Sequence, residues 1–130
     1  FREKSRQNTI NSRKKQKTKF TKPEKIIKEY LDNNNINNIP QQVMYDRFVV
    51  DFYLPDYNIV IEVQGDYWHG NPKIYGNDVN LKPLTEKQLK TKEKDNYKYN
   101  FLTDKQHIVY MIWETDIYED VPECLKFLNI

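Results

Sequence analysis

The stretch "VVDFYLPDYNIVIEVQGDYWHG" (residues 49–70) decides the fold of this chain. It contains most of two runs rich in Val, Ile, Tyr and Phe, over residues 43–54 and 58–64, and this composition is typical of β-strands. Between the runs, "PDYN" has the composition of a tight turn. A short turn between two strands predicts an antiparallel pair. The stretch therefore predicts two neighbouring antiparallel strands.

The rest of the chain predicts helices before and after this pair. Thr21 with Glu24, and Thr85 with Gln88, are capping-box patterns that begin helices. The remaining elements are a helix over 22–32, an irregular segment over 66–83, a polar helix to about residue 103, a buried strand over 107–113 and a short last helix after Asp120. The order is α-β-β-β-α-β-α. The third strand is expected before the long helix, but the sequence does not define its range. We predict an α/β fold with a mixed β-sheet flanked by helices.

The charge of the chain is distributed unevenly. Residues 1–19 contain eight Lys or Arg and one acid, Glu3, whereas the whole chain of 130 residues has a formal net charge of only +2. We interpret residues 1–19 as a basic N-terminal arm or linker and residues 20–130 as one domain. A basic arm joined to a near-neutral or acidic domain is typical of proteins that bind nucleic acid. The alternative interpretation is a solubilising or localising tail.

The composition also argues against several classes of protein. No apolar run approaches the roughly 18 residues that a membrane span needs, and no signal peptide opens the chain. The single cysteine, Cys124, excludes an internal disulfide and fits a cytoplasmic location. One cysteine and two histidines argue against a structural zinc site. Because residue 1 is Phe rather than Met, we expect the chain to be a piece of a longer protein.

A carboxylate stands inside an otherwise apolar strand. Asp51 lies between Val50 and Phe52, and burying an unpaired carboxylate costs several kcal/mol. On the next strand Glu62 and Gln64 share one face, and pairing about the turn would place Asp51 near them. Such oxygen ligands suit Mg²⁺, which needs only one or two carboxylates besides water and substrate phosphate. The alternative is that Asp51 and Glu62 face solvent on the open side of the sheet.

Two aromatic side chains and a histidine follow the second strand. His69 could take or give a proton at neutral pH, which suits acid–base chemistry on a phosphodiester; a structural role is the alternative. Tyr67 and Trp68 fit either the core or stacking on bases. Capping of its helix would explain Glu24, and pairing with neighbouring lysines would explain Asp95. Neither acid is assigned to chemistry by its position alone.

Taken together, these residues resemble a known family of nucleases. The opening stretch, followed by "KEKDNYKYNFLTDKQHIVYMIWETDI", is similar to the very-short-patch repair (Vsr-like) branch of the PD-(D/E)xK, restriction-endonuclease-like nucleases. The resemblance covers about residues 20–120. With the basic arm, the chain also resembles the C-terminal catalytic part of phage- or intron-encoded homing endonucleases with an EDxHD motif. In this sequence the motif would consist of Glu24, Asp51, Gln64, His69 and Asp95.

The resemblance implies a role for each of the charged residues of the motif. Asp51 would be the principal ligand of Mg²⁺ or Mn²⁺, helped by the backbone carbonyl of Val63. His69 would be a general acid or base near the scissile phosphate. Glu24 and Asp95 would position water, metal or the imidazole.

The sequence departs from the repair enzymes at two points. They carry a second histidine where Gln64 stands, and they bind a structural zinc for which this chain has no ligands, which argues against mismatch-specific repair. In the wider D…(D/E)xK pattern, Glu62 would bind the metal directly and Gln64 would replace the lysine.

The resulting prediction is a Mg²⁺-dependent endonuclease that hydrolyses phosphodiester bonds of double-stranded DNA. Lys and Arg of residues 1–19 and of the helix over 82–98 would contact the DNA backbone. We expect sequence recognition to lie largely in an N-terminal module missing from this chain, and a homodimer on DNA would allow both strands to be cut. The alternatives are a non-catalytic nucleic-acid-binding module that keeps the nuclease fold, and a protein-interaction domain with a localising basic tail.

Overall fold

The computed structural model describes residues 20–129, so the basic arm over residues 1–19 lies outside the described part of the chain. Residues 20–129 form a four-stranded sheet with helices on both faces, which confirms the predicted α/β class with a mixed sheet. The elements in chain order are α1 (Lys22–Asn33), β1 (Ile39–Met44), β2 (Phe48–Leu54), β3 (Ile59–Gln64), α2 (Asp66–His69), α3 (Glu86–Asp104), β4 (Ile108–Trp113), α4 (Glu114–Glu119), α5 (Val121–Cys124) and a 3₁₀ turn (Lys126–Leu128). Within the described residues, no helix combines the length and the apolar character needed to cross a membrane.

The two capping patterns begin the two main helices. At α1 the hydroxyl of Thr21 accepts a hydrogen bond from the N–H of Glu24 at 3.4 Å. At α3, Thr85 and Gln88 form a complete, reciprocal capping box. These bonds satisfy N–H groups that the first turn of a helix leaves without a partner. Both predicted helix starts are therefore confirmed.

The run over residues 43–54 forms two strands rather than one. β1 ends at Met44, β2 begins at Phe48, and the two strands pair antiparallel. The turn between them has φ of +55° at Tyr45 and +53° at Asp46, as in a type I′ hairpin turn. Such turns usually contain Asn-Gly or Asp-Gly, so Tyr-Asp gives no recognisable signal. The third strand therefore precedes the predicted pair instead of following it.

The two central strands separate before they end. The strands lie in the order β1-β2-β3-β4; β3 and β4 are parallel, and the other pairs are antiparallel. The predicted pairing of β2 with β3 is confirmed, but it extends only as far as Phe52 and Ile61. Beyond that pair, β2 continues beside β1 and β3 continues beside β4. We call the gap between residues 49–51 of β2 and 62–64 of β3 the fork.

Two apolar cores cover opposite faces of the sheet. The smaller core lies between the sheet and α3 and contains Met44, Val50, Val60 and Leu102. The larger core lies against α1, α4 and the C-terminal residues, and its fully buried members include Ile27, Leu31, Phe52, Leu54, Ile61, Ile117 and Leu125. Each fully buried Leu or Ile contributes roughly 1.5–3 kcal/mol relative to an exposed one. The cores therefore fix the helices on both sides of the strand ends.

The last strand is less buried than its composition predicts. The apolar run over residues 107–113 predicts a buried strand, but β4 lies at the edge of the sheet. Ile112 is buried, whereas Ile108 is 51% exposed. Apolar composition alone does not distinguish an edge strand from a central one, because the distinction depends on which elements cover it.

Two hydrogen bonds hold His107 just before β4. Its Nδ1 lies 2.6 Å from Oδ1 of Asn58, and its Nε2 lies 2.5 Å from the hydroxyl of Tyr45. An amide oxygen only accepts, so Nδ1 carries the proton of the neutral ring and Nε2 accepts from the tyrosine. Burial lowers the pKa of His107 below its ordinary value. The folded protein therefore favours the neutral form of this histidine.

We expect the protein to lose stability when His107 becomes protonated. Because its pKa is lower in the folded than in the unfolded state, its stabilising contribution is complete above the unfolded pKa of about 6.5 and is lost as the pH falls through the folded pKa. The melting temperature, measured from about pH 8 down to about pH 5, should decline, and His107→Gln should reduce that decline. An equal decline in both proteins would contradict this prediction.

Candidate active site

An open cleft of about 470 Å³ lies at the carboxyl ends of β3 and β4. These strands are parallel, so the residues that follow them meet at one edge of the sheet. The start of α1 and the short helix α2 form the other walls. The cleft is lined by Thr21, Pro23, Glu24, Val63, Gly65, Tyr67, Trp68, His69 and Glu114. Three of the predicted site residues, Glu24, Val63 and His69, therefore share one cleft.

Asp51 lies in the fork and is bonded to a residue of the cleft wall. Its Oδ2 accepts a hydrogen bond from the N–H of Val63 at 2.7 Å. In a continuous antiparallel ladder that N–H would bond the backbone of β2, so the carboxylate takes the place of a strand partner. Asp51 and Glu62 are 3% and 9% exposed. The alternative in which both carboxylates face solvent is therefore wrong.

The donor chemistry at the fork fits the predicted metal. The N–H and C=O of one strand residue point toward the same neighbouring strand, so the carbonyl of Val63 lies on the side of Asp51. A carboxylate and a backbone carbonyl are hard oxygen donors of the kind that Mg²⁺ and Mn²⁺ prefer. These two residues would hold the cation together with water and substrate phosphate. Among residues 20–129, no group of three or more His, Cys, Asp or Glu is arranged to hold a metal ion.

Glu24 borders the cleft from the first turn of α1. Its side chain is 5% exposed, and its Oε1 accepts a hydrogen bond from the hydroxyl of Thr21 at 3.0 Å. The carboxylate is thus held by the N-cap residue of its own helix while it lines the cleft. Glu24 can therefore cap its helix and still take the role that the resemblance implies, which is to position water or metal.

His69 is oriented by Asp95. Its Nδ1 lies 2.6 Å from Oδ2 of Asp95 on α3. A carboxylate only accepts, so the proton of the neutral ring lies on Nδ1 and Nε2 carries the lone pair. Because the side chain lines the cleft, the ring is placed to exchange a proton there. The structure therefore pairs Asp95 with the histidine.

A glycine is favoured at the end of α2. Gly70 has φ of +64°, a conformation that other residues rarely adopt. A Cβ at this position would lie 2.7 Å from Cδ2 of Leu84 and 3.0 Å from Cε of Lys92. A larger residue would have to displace the ends of these two side chains, next to the residue that precedes it, His69.

Glu114 is a cleft residue to which the sequence pattern assigns no role. It directly follows β4, and its Oε1 accepts a hydrogen bond from the N–H of Asp66 at 2.8 Å. The carboxylate of Asp66 accepts in turn from the hydroxyl of Thr115 and the side-chain amide of Asn71. The start of α2 is therefore anchored to the end of β4, which helps to fix His69. The sequence feature that points to Glu114 is its position directly after a strand. That strand runs parallel to β3, so the residues that follow the two strands meet at one edge of the sheet.

Glu62 and Gln64 lie on the face of the sheet that α3 covers. Together with Asp95 and Lys98 they line a cavity of about 10 Å³, the size of roughly one water molecule. Oε1 of Glu62 lies 2.9 Å from Nζ of Lys98. Oε1 of Gln64 is buried and accepts no hydrogen bond from residues 20–129. The predicted shared face is observed; a metal-binding role for Glu62 and a catalytic role for Gln64 stay predictions.

The aromatic pair on α2 is exposed. Tyr67 and Trp68 are 49% and 64% exposed, and their rings meet edge to face with centroids 5.3 Å apart. Neither belongs to the core, so that alternative is wrong. Exposed rings that border a cleft offer flat faces on which bases can stack.

No protein-family model matches this chain, and no curated protein matches it. Among solved structures, the chain is similar to the catalytic domain of the homing endonuclease I-Bth0305I, at 26% sequence identity and a TM-score of 0.56. The similarity covers 83% of this chain and 91% of that chain. It confirms the predicted restriction-endonuclease-like fold class and supports a nuclease function.

Proposed function

We propose that this chain is the catalytic domain of a divalent-metal-dependent DNA endonuclease of the Vsr-like PD-(D/E)xK type. The observation that carries the proposal is the convergence of Glu24, Val63 and His69 on one open cleft. Asp51 is bonded to Val63 at this cleft. Asp95 is bonded to the imidazole of His69. Residues from five separate elements thus supply two acids, a backbone carbonyl and a histidine oriented by a third acid.

His69 moves the proton in the proposed reaction. The attacking water loses a proton to Nε2 as its oxygen forms a bond to phosphorus, and the leaving oxygen takes up a proton from solvent water as its bond to phosphorus breaks. During this transfer the other ring nitrogen stays bonded to Asp95. The carboxylate stabilises the imidazolium that forms and keeps the ring in one orientation.

Asp51 and Val63 would hold the cation. When bound there, a divalent cation would supply positive charge that shields the phosphate in the transition state and makes water a better nucleophile. The carboxylate of Asp51 is fixed by its hydrogen bond from the N–H of Val63, so it presents its charge in one direction. Glu24, which lines the same cleft, would position the attacking water.

DNA affinity in this proposal comes from basic residues outside the cleft. Lysines of α3 and the Lys and Arg of residues 1–19 would bind phosphates, which gives affinity that falls with salt. Sequence recognition would lie in a further N-terminal module, and a homodimer would bring two clefts to the two strands.

Incubation of supercoiled plasmid with the purified chain tests the proposal. With Mg²⁺ or Mn²⁺ the plasmid should become nicked or linear, and with EDTA it should stay supercoiled. Linear product that appears together with nicked product from the start would support a dimer. Salt-sensitive DNA binding with no metal-dependent cleavage would instead support the alternative, a nucleic-acid-binding module that keeps the nuclease fold.

A further inference from the structure

Lys98 bridges the two strands of the fork from the helix that covers them. Its Nζ lies 2.9 Å from Oε1 of Glu62 on β3 and donates to the carbonyl of Val49 on β2 at 2.8 Å. The side chains of the lysine and the glutamate are 22% and 11% exposed. One ammonium group therefore pairs with a carboxylate on one strand and donates a hydrogen bond to the backbone of the other.

These two contacts lie next to the residues that would hold the cation. Val49 precedes Asp51 by two residues, and Glu62 directly precedes Val63. The register of β2 with β3 does not extend to these residues. Side chains therefore span the fork, and Lys98 contacts both strands, through an ion pair with Glu62 and a hydrogen bond to Val49.

We propose that Lys98 is a positioning residue that fixes the width of the fork and thereby holds Asp51 against Val63. The catalytic consequence rests on the proposed function, in which those two residues hold the cation. The ammonium of Lys98 contacts Glu62 and Val49, which are neighbours of the two residues that would hold the cation, so it acts through the strands. Its loss would leave the buried carboxylate of Glu62 without the ammonium that neutralises it, so the strands would shift.

Steady-state cleavage kinetics test this role. Lys98→Met removes the ammonium but keeps most of the apolar stem. We expect kcat to fall about 10- to 100-fold, as is typical for residues that orient metal ligands, with KM for DNA nearly unchanged. Lys98→Arg keeps the charge and several donors, so it should recover most of the lost kcat.

Two other lysines provide matched controls. Lys28 on α1 is also a half-buried lysine, paired with Asp32 at 3.0 Å, so Lys28→Met should keep the kinetics of the parent chain. Lys94 is exposed and lies one turn before Lys98 on α3. Lys94→Met removes the same charge and should weaken DNA binding without lowering kcat. An equal loss of kcat in Lys94→Met would show that charge alone matters and would overturn the proposal.

Hydrogen exchange at one amide gives a readout that needs neither metal nor DNA. The N–H of Val63 is bonded to the carboxylate of Asp51. NMR should show faster exchange of this amide in Lys98→Met than in the parent chain and in Lys28→Met. If the parent chain cleaves no DNA but Lys98→Met shows this faster exchange, the proposed function fails and the positioning role stands.

Two results would overturn the positioning role. One is unchanged exchange of the Val63 amide in a folded Lys98→Met protein. The other is a rise in KM that exceeds the fall in kcat, because it would place Lys98 in direct contact with DNA. If circular dichroism shows that Lys98→Met does not fold, Lys98→Gln replaces it in both measurements, with the same expected direction.

Discussion

Asp51→Ala should abolish metal-dependent cleavage and leave DNA affinity close to that of the parent chain. The side chain is 3% exposed and its Oδ2 is bonded to Val63, so it contributes little to the surface that meets DNA. Affinity depends mainly on basic side chains that contact phosphates. Loss of the residue that would hold the cation removes several kcal/mol of transition-state stabilisation. This loss corresponds to a fall in kcat on the order of 1,000-fold or more.

Asp51→Asn separates the charge of this residue from its hydrogen bond. The amide oxygen of asparagine can still accept from the N–H of Val63, so we expect a folded protein with a melting temperature close to that of the parent. Cleavage should nevertheless be as low as in Asp51→Ala, because the neutral amide lacks the negative charge that the carboxylate offers to the cation. Asp104→Asn removes an exposed carboxylate at the end of α3 and should leave cleavage unchanged.

Plasmid cleavage and fluorescence anisotropy of labelled DNA, both at one fixed salt concentration, check this prediction. Substantial cleavage by Asp51→Asn would exclude a role that depends on charge. Loss of DNA binding together with cleavage would mean that Asp51 supports the structure and not the chemistry.

The sequence predicts well those elements whose causes are local. Thr85 and Gln88 satisfy the first N–H groups of α3, so the start of that helix is visible in the sequence itself. The turn from β1 to β2 is different, because its left-handed conformation at Tyr45 is favoured by distant contacts. The ring of Tyr45 packs on Phe101, and its hydroxyl bonds to His107. No local pattern reports such contacts, so the run from residue 43 to residue 54 resembles one strand.

The same distinction applies to the candidate site. The two-residue period of a strand places Glu62 and Gln64 on one face, and the structure agrees. It does not predict that α3 covers this face and brings Lys98 into contact with the glutamate. Likewise, residues 69 and 95 are brought together only by the packing of α2 on α3. Residue types identify the candidates, but the partners that orient them depend on tertiary structure.

His69→Ala should lower kcat by about 100- to 10,000-fold, the usual contribution of general acid–base catalysis. DNA affinity should change little, because one neutral imidazole adds little to the attraction of phosphates. The cleft is open and has a volume of about 470 Å³, so imidazole in solution can enter the space that the side chain leaves. Added imidazole should therefore restore part of the activity of His69→Ala. Single-turnover cleavage rates with increasing imidazole measure this effect.

Asp95→Asn tests whether His69 acts from the tautomer that the structure favours. The amide of asparagine can donate to Nδ1, which favours the ring with its proton on Nε2. That tautomer cannot accept a proton at Nε2, so kcat should fall although the imidazole is still present. Added imidazole should not rescue Asp95→Asn, since the ring still occupies its place. His107→Gln, in the other histidine, should cleave at the parent rate below its melting temperature. A full cleavage rate in His69→Ala would place proton transfer on another group of the cleft, for which Glu24 and Glu114 are the carboxylates available.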